Sequence, residues 1–177
     1  MSEDQIRIDE KWMQLAYAQA AIAADHAEVP VGAVIVSEGR IIGQGYNCPI
    51  GTHDPTAHAE IQALRQACQS IENYRLPPES TLYVTLEPCT MCVGALIHAR
   101  VGRVVFATTE PKAGALVSER KLLDSGYYNH VFHFQGGCLQ QQCAEQLSAF
   151  FKMRREQKKQ QRLTNSSLDS SSERLNR

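Results

Sequence analysis

The residues of this chain best suited to chemistry lie in two short segments, His58-Ala59-Glu60 and Pro88-Cys89-Thr90-Met91-Cys92. One imidazole and two thiolates provide three protein ligands for Zn²⁺, which leaves the fourth tetrahedral position open for water. A structural zinc site closes that position with a fourth side chain. Glu60 stands two positions after His58 and is suited to moving the protons of that water without being a ligand. We therefore predict His58, Cys89 and Cys92 as metal ligands and Glu60 as the catalytic residue.

This order of residues, H-x-E followed by P-C-x-x-C, is the signature of zinc nucleobase deaminases. In that chemistry the metal activates water for attack on the ring carbon that bears the exocyclic amine, and the glutamate serves as general acid and base. The alternative is a zinc ion that only stabilises the fold. The missing fourth ligand and the presence of Glu60 argue against that alternative. We expect one Zn²⁺ per subunit.

The two ligand groups are predicted at the starts of helices, where free N–H groups and the helix dipole favour negative charge. Cys89 and Cys92 are three residues apart, so their sulfurs share one face of the first turn. His58 and Glu60 are two residues apart and would point to opposite sides of a regular helix. They converge only if the end of the helix, rather than its flank, abuts the metal. The sequence thus predicts two helix N-termini meeting at the zinc.

Hydrophobic periodicity and turn residues predict the elements that position these groups. Helices are predicted over residues 8–24 with Asp9 as N-cap, over 55–69 with Asp54 as N-cap, over 89–99, and over 142–159 with Leu147, Phe150 and Phe151 facing inward. Strands are predicted over residues 32–36, 40–43, 82–86, 104–107 and 131–134, with a loop over 43–54. Strands interspersed with helices predict an α/β layered domain with a mixed sheet.

Composition and charge limit the class of protein. The chain has 177 residues, 43% of them apolar, which fits one domain, and no apolar run approaches the length of a membrane span. The polar, acidic first residues are unlike a secretory signal, so we expect a cytoplasmic protein with reduced cysteines and no membrane partner. We expect the folded domain over residues 6–162 and a disordered polar tail over 163–177.

The net charge of −1 is unevenly distributed. Residues 146–177 hold eight Lys or Arg against three acidic residues, whereas residues 1–145 hold ten against sixteen. A basic C-terminal end on an acidic body indicates a local site for a polyanion. The simpler interpretation is a solvated helix end.

Several segments resemble tRNA-specific adenosine deaminases of the TadA type, which convert wobble adenosine to inosine. These are residues 30–34, 46–47, 54–61, 85–92 and 102–106, and the resemblance runs from Trp12 to Arg155. It implies the three-layer α-β-α fold of cytidine deaminases, with a central mixed sheet of about five strands flanked by helices. It also implies a homodimer that acts on the tRNA anticodon stem-loop, each active site being completed by the partner subunit.

The resemblance further implies that Asn47 contacts the target base, and we expect a set of residues to contact the substrate. Around the base these are Asn47, Val29, Leu86 and His98. Along the RNA they are Glu110, Lys112, Phe151, Arg154 and Arg155. From the residues alone, Asn47 also fits a turn residue, and His98 equally fits a structural histidine. Glu110-Pro111 departs from the family, which usually has aspartate in this segment. The departure bears on the geometry of the RNA-facing loop.

Two other functions remain open from the sequence. The first is a deaminase of a free nucleobase or nucleotide, such as guanine, cytosine or deoxycytidylate, which shares the metal motif. The second is a non-catalytic RNA-binding module with a structural zinc. The basic C-terminal helix favours a tRNA substrate, because a small substrate would give that helix no function. The presence of Glu60 argues against the non-catalytic module.

Overall fold

The computed structural model describes the backbone of residues 2–175 and the side chains up to Thr164. Its α-helices are α1 (Glu3–Asp25), α2 (Pro49–Thr52), α3 (Ala59–Ser70), α4 (Thr90–His98) and α5 (Gln140–Leu175). Its strands are β1 (Gly32–Ser37), β2 (Arg40–Tyr46), β3 (Thr81–Leu86), β4 (Arg103–Thr108) and β5 (His133–Gly136). A short 3₁₀ helix covers Leu122–Ser125. The predicted order of helices and strands is confirmed.

The five strands form one mixed sheet in the order β2-β1-β3-β4-β5. Strand β1 is antiparallel to both β2 and β3, while β3, β4 and β5 run parallel. Because side chains alternate between the faces of a strand, Val34 and Val36 pack with α1, whereas Ala33 and Ile35 pack with α3 and α4. Helices therefore cover both faces, and the predicted three-layer α/β fold is confirmed.

Two glycines of β2 let α3 approach the sheet closely. A Cβ atom built at Gly43 would lie 2.3 Å from the carbonyl oxygen of Ala63, and one at Gly45 would lie 2.5 Å from the Cβ of Gln62. The Gly45 position also abuts the first turn of α3, at 2.7 Å from the carbonyl oxygen of Ala59. A larger residue at either position would push away the helix that carries Glu60.

The predicted N-cap of the first helix is wrong. Ser2 caps α1, accepting a hydrogen bond from the backbone N–H of Gln5 at 3.2 Å. Asp9 lies within the helix and is buried. Its buried carboxylate is compensated by an ion pair with Arg103 at 2.6 Å and by a hydrogen bond from the Tyr83 hydroxyl at 2.9 Å. Asp9 therefore ties α1 to β3 and β4.

The predicted start of the second helix is also wrong. Helix α3 begins at Ala59 with His58 as its N-cap, four residues after the expected Pro55. The Asp54 carboxylate instead accepts hydrogen bonds from the N–H and hydroxyl of Thr56, at 2.8 and 2.7 Å. An aspartate that caps a local turn gives the same short-range signal as one that caps a helix.

The β2–α2 region, the start of β5 and the orientation of Phe151 also differ from the prediction. Strand β2 extends to Tyr46 and α2 follows, where a loop was expected over residues 43–54. Strand β5 begins two residues later than expected because His133 pairs with Arg103 of β4. Phe150 is buried as predicted, but Phe151 is 44% exposed rather than inward-facing.

Helix α5 extends to Leu175, beyond the predicted end at residue 159. The side chains after Thr164 lie outside the described residues, so the domain over 6–162 and the tail over 163–177 stay predictions. Within residues 2–175, none of the helices combines the length and the apolar character needed to cross a bilayer.

Candidate active site

The three predicted metal ligands lie together at two helix starts. His58 is the N-cap of α3 and Cys89 the N-cap of α4, both with extended backbone, and Cys92 is buried in the first turns of α4. Their ligand atoms all lie within 4.8 Å of one another, so this group can hold a metal ion. The predicted meeting of two helix N-termini is confirmed. The extended backbone at His58 lets its ring and Glu60 face one point although they are two residues apart.

The distances within this group fit zinc. The Nδ1 atom of His58 lies 3.7 Å from the sulfur of Cys89 and 3.6 Å from the sulfur of Cys92. In a tetrahedral site with Zn–S of about 2.3 Å and Zn–N of about 2.0–2.1 Å, a nitrogen and a sulfur ligand are about 3.6 Å apart. One imidazole nitrogen facing two sulfurs at this separation is the donor arrangement that a zinc ion requires.

The surroundings shift the pKa values of Cys89, Cys92 and Glu60. The hydrogen bond from Cys92, assisted by one from His58, lowers the pKa of Cys89 to about 4 against the opposing effect of burial. The same hydrogen bond to Cys89, together with burial, raises the pKa of Cys92. Burial raises the pKa of Glu60, which is 3% exposed. Of the two thiols, Cys89 is therefore the more acidic, and burial favours the protonated form of Glu60.

A cavity of about 230 Å³ opens beside the ligands. Glu60 reaches it from the first turn of α3, together with His58 and Cys89. Four of the residues expected to contact substrate also line it: Val29, Asn47, Leu86 and Glu110. The cavity thus combines a metal-ligand group, a buried carboxyl group, an amide and apolar walls.

A second cavity of about 200 Å³ continues from the first toward α5. The two share Val29, Leu86 and Glu110 as lining residues. Phe151 lines the second cavity, as do Leu147 and Ser148 of the same helix. The two cavities therefore adjoin, and the second one reaches α5.

Comparisons with known proteins identify the family. A family model described as MafB19-like deaminase matches residues 8–155. The tRNA-specific adenosine deaminase of Haemophilus influenzae is 50% identical over 152 residues, which cover 85% of this chain and 87% of that protein. The chain belongs to the tRNA-specific adenosine deaminase family.

Two further similarities support this membership of the tRNA-specific adenosine deaminase family. The tRNA-specific adenosine deaminase of Bacillus subtilis is 40% identical, covering 85% of this chain and 93% of its own. A solved structure from a study of A-to-I editing by tRNA A34 deaminases at the wobble position is 39% identical, with a TM-score of 0.74. It covers 77% of this chain and 98% of its own. Sequence and fold therefore agree on the family.

We call the cavity of about 230 Å³ beside the predicted metal ligands the metal cavity. Some of the predicted site residues of this deaminase lie away from it. His98 is exposed at the far end of α4, a helix of nine residues and about 13 Å, beside Tyr74. The side chain of Lys112 is exposed, and its backbone N–H donates to the Glu110 carboxylate at 3.0 Å. Within one chain the structure does not bring His98 to the cavity, and the substrate contacts of both residues stay predictions.

The two predicted arginines of α5 differ in their surroundings. Arg155 lines a shallow depression with Lys158, Lys159 and Arg162. Arg154 lies outside that depression and donates to Gln157 at 3.3 Å. The basic residues that share one surface on α5 are thus residues 155, 158, 159 and 162, which we call the basic cluster.

Two buried glutamates were not predicted from the sequence as functional residues. Glu87 lines the cavity at the end of β3, and Glu28 accepts a hydrogen bond from the N–H of Gly51 at 2.7 Å. Each is at most 3% exposed, although glutamate is rarely buried without partners. The signal available for Glu87 was its position directly after the apolar strand β3, whereas Glu28 lies four residues before β1.

Proposed function

We propose that this protein hydrolyses adenosine to inosine at wobble position 34 of tRNA, using one zinc ion per subunit. The observation that carries the proposal is the group of His58, Cys89 and Cys92, which can hold a metal ion, beside a cavity of about 230 Å³. His58, Cys89 and the buried Glu60 line that cavity. The relatives at 40–50% identity are tRNA-specific adenosine deaminases, which supports the choice of substrate.

His58, Cys89 and Cys92 would hold the zinc ion, which when bound would lower the pKa of a coordinated water to near neutrality. Glu60 accepts the proton of the attacking water and delivers it to N1 of the purine while the C6–O bond forms. Glu60 then transfers the second proton to the exocyclic nitrogen, the C6–N bond breaks, and ammonia leaves. The net reaction consumes one water and yields inosine. A carboxyl group whose pKa is raised by burial suits both halves of this proton transfer.

The cavity walls provide recognition of a flipped base. Asn47 is 8% exposed and both donates and accepts hydrogen bonds, as reading a purine edge requires. Val29 and Leu86 offer apolar surface to the ring faces. A base reaches such a cavity only when it leaves the stack, and an unpaired anticodon loop permits this at lower cost than a duplex.

The remaining parts of the proposal concern assembly and RNA binding. The basic cluster supports binding of the RNA backbone, and it begins at Arg155, four residues along α5 from Phe151, which lines the second cavity. A depression of about 340 Å³ on the faces of α3 and α4, beside the 67%-exposed Tyr74, supports the homodimer. Sedimentation equilibrium checks that assembly. A tRNA substrate supports a cytoplasmic location.

The test is deamination of an anticodon stem-loop with adenosine at position 34, with inosine measured by mass spectrometry after digestion. We expect inosine only at position 34, and little conversion of free adenosine, guanine, cytosine or deoxycytidylate. The matched substrate is the same stem-loop with its adenosine in the paired stem. Efficient conversion of a free base or nucleotide, with an unmodified stem-loop, would favour the small-molecule deaminase. Binding of the stem-loop without any turnover by the zinc-loaded protein would favour the non-catalytic module.

A further inference from the structure

Glu87 stands where β3 ends and directly before the metal-ligand segment. Its backbone N–H donates to the carbonyl of Thr108 at 2.8 Å, which prolongs the pairing of β3 with β4. Its side chain is 3% exposed and turns toward residues 110–118, which we call the wall segment. Burying a carboxylate is costly unless it is well paired, so its partners indicate its task.

Both oxygens of Glu87 are occupied by the wall segment. One oxygen accepts the backbone N–H groups of Leu116, Val117 and Ser118, at 3.0, 2.8 and 3.0 Å. The other accepts the backbone N–H of Glu110 at 3.0 Å and the hydroxyl of Ser118. The two ends of the wall segment are therefore joined through a single carboxylate.

The wall segment forms part of the metal cavity. Glu110 and Ala113 line that cavity, and Glu110 also lines the second cavity toward α5. The segment lies directly on the carboxylate, because a Cβ atom built at Gly114 would lie 2.4 Å from the Cδ of Glu87. The backbone N–H of Ala115 also donates to the carbonyl of Pro88 at 3.0 Å. The position of Glu110 relative to the metal ligands thus depends on Glu87.

We propose that Glu87 is a positioning residue that holds the Glu110 side of the cavity in place for RNA binding. This inference rests on the proposed function. Glu87 acts through Glu110, since its own two oxygens are occupied by hydrogen bonds to the wall segment. Its expected contribution is to the binding of the stem-loop and not to the proton transfers of Glu60.

The chemistry of an amide allows the two ends of the segment to be separated. A carboxylate only accepts hydrogen bonds, whereas glutamine has one accepting oxygen and one donating NH₂ group. In Glu87→Gln the oxygen can keep the three N–H groups of residues 116–118, and the Ser118 hydroxyl can turn to accept from the NH₂. The N–H of Glu110 then faces a donor and loses its partner. Ser118→Ala is the matched control, because it removes a contact to the same oxygen and leaves the Glu110 N–H bound.

The experiment measures kcat and KM for the anticodon stem-loop, with zinc content by atomic absorption. We expect Glu87→Gln to raise KM by about tenfold, the usual scale for losing a hydrogen bond to a charged group, with kcat changed less than about threefold. Zinc content should be unchanged, and Ser118→Ala should keep KM within about threefold. A wild-type KM in Glu87→Gln, or a loss of zinc or of kcat alone, would overturn the inference. An equal rise of KM in Ser118→Ala would also overturn it.

A double-mutant cycle tests whether Glu87 acts through Glu110. We expect Glu110→Ala to raise KM, and Glu87→Gln to add little in that background, because coupled residues are not additive. Fully additive effects would overturn the inference.

Gly114→Ala keeps Glu87 and pushes the wall segment away from it, so it should raise KM even if Glu87→Gln fails to fold. A wild-type KM in this variant would count against the inference. An unmodified stem-loop with the wild-type enzyme would overturn the proposed function and this inference with it. An active wild type with a silent Glu87→Gln would overturn the inference alone.

Discussion

The metal end of the cavity and the basic cluster on α5 are built in opposite ways. At the metal end, Glu60 is 3% exposed and Cys92 is fully buried, and both are held in first turns of helices. The basic cluster consists of exposed side chains on a helix that continues well past the sheet. Replacing a buried group that has fixed partners is expected to remove most of its function. Replacing exposed charges is expected to have smaller, additive effects that salt screens. Substitutions in the two regions should therefore differ in size and in salt dependence.

The largest effect is expected from removing the thiolates. The variant Cys89→Ser/Cys92→Ser should lose both zinc and deamination of the stem-loop, because a hydroxyl is a poor substitute for a thiolate as a zinc ligand. Atomic absorption and inosine analysis measure the two losses. Cys138→Ser, outside both cavities, is the control and should retain both. Full zinc occupancy in the double variant would contradict the assignment of the ligands.

The second effect separates chemistry from metal binding. Glu60→Ala should keep zinc and fold but lower kcat by about 10²–10⁴-fold, the usual scale for a positioned general acid–base group. The larger loss is expected since Glu60 serves more than one proton transfer. Single-turnover kinetics on zinc-loaded protein measure this loss without interference from product release. A zinc-loaded variant with near wild-type turnover would exclude the proposed mechanism.

The third effect concerns a buried charge far from the cavity. Burial opposes ionisation of Asp9, but hydrogen bonds from Arg103, Gln5 and Tyr83 prevail and lower its pKa. Asp9→Asn should lower the free energy of unfolding by about 2 kcal/mol at neutral pH, since Arg103 loses its ionic partner. Zinc content and kcat should not change, because the pair ties α1 to the opposite face of the sheet.

The pH dependence of this third effect has a definite sign. A carboxyl group whose pKa is lower in the folded state stabilises the fold at pH values above its unfolded pKa of about 3.9. That contribution is lost as the pH falls through the folded pKa. The stability difference between wild type and Asp9→Asn, measured by urea unfolding, should therefore shrink below about pH 4. A difference that is constant from pH 7 to pH 3 would show that the charge of Asp9 does not stabilise the fold.

The grouping of His58, Cys89 and Cys92 could be predicted from the sequence because zinc chemistry requires particular residue types at short spacing. Helix starts were harder, since Asp54-Pro55 carries cap signals that serve a local turn while His58 begins the helix. The role of Glu87 could not be predicted, because its partners lie 23 to 31 residues away and, apart from the Ser118 hydroxyl, are backbone groups without a side-chain signature. Functional motifs with short residue spacing can thus be predicted from a sequence, whereas the contacts of one carboxylate with distant residues cannot.

The smallest effect is expected on α5, and it depends on salt. Neutralising Arg155, Lys158 and Lys159 with glutamine should weaken stem-loop binding while zinc content and kcat at saturation remain unchanged. Each lost contact to unpaired RNA removes about 0.7 from the slope of log K against log salt, so three lost contacts should flatten it by about 2. Arg40→Gln, a control on the β1–β2 hairpin, removes one exposed cation and should leave the slope unchanged. Fluorescence anisotropy at several salt concentrations measures the slope. If the plots of log K against log salt had the same slope for the wild type and the triple variant, the RNA backbone would bind elsewhere on the surface. The proposed contrast between a fixed metal end and an electrostatic α5 would then be wrong.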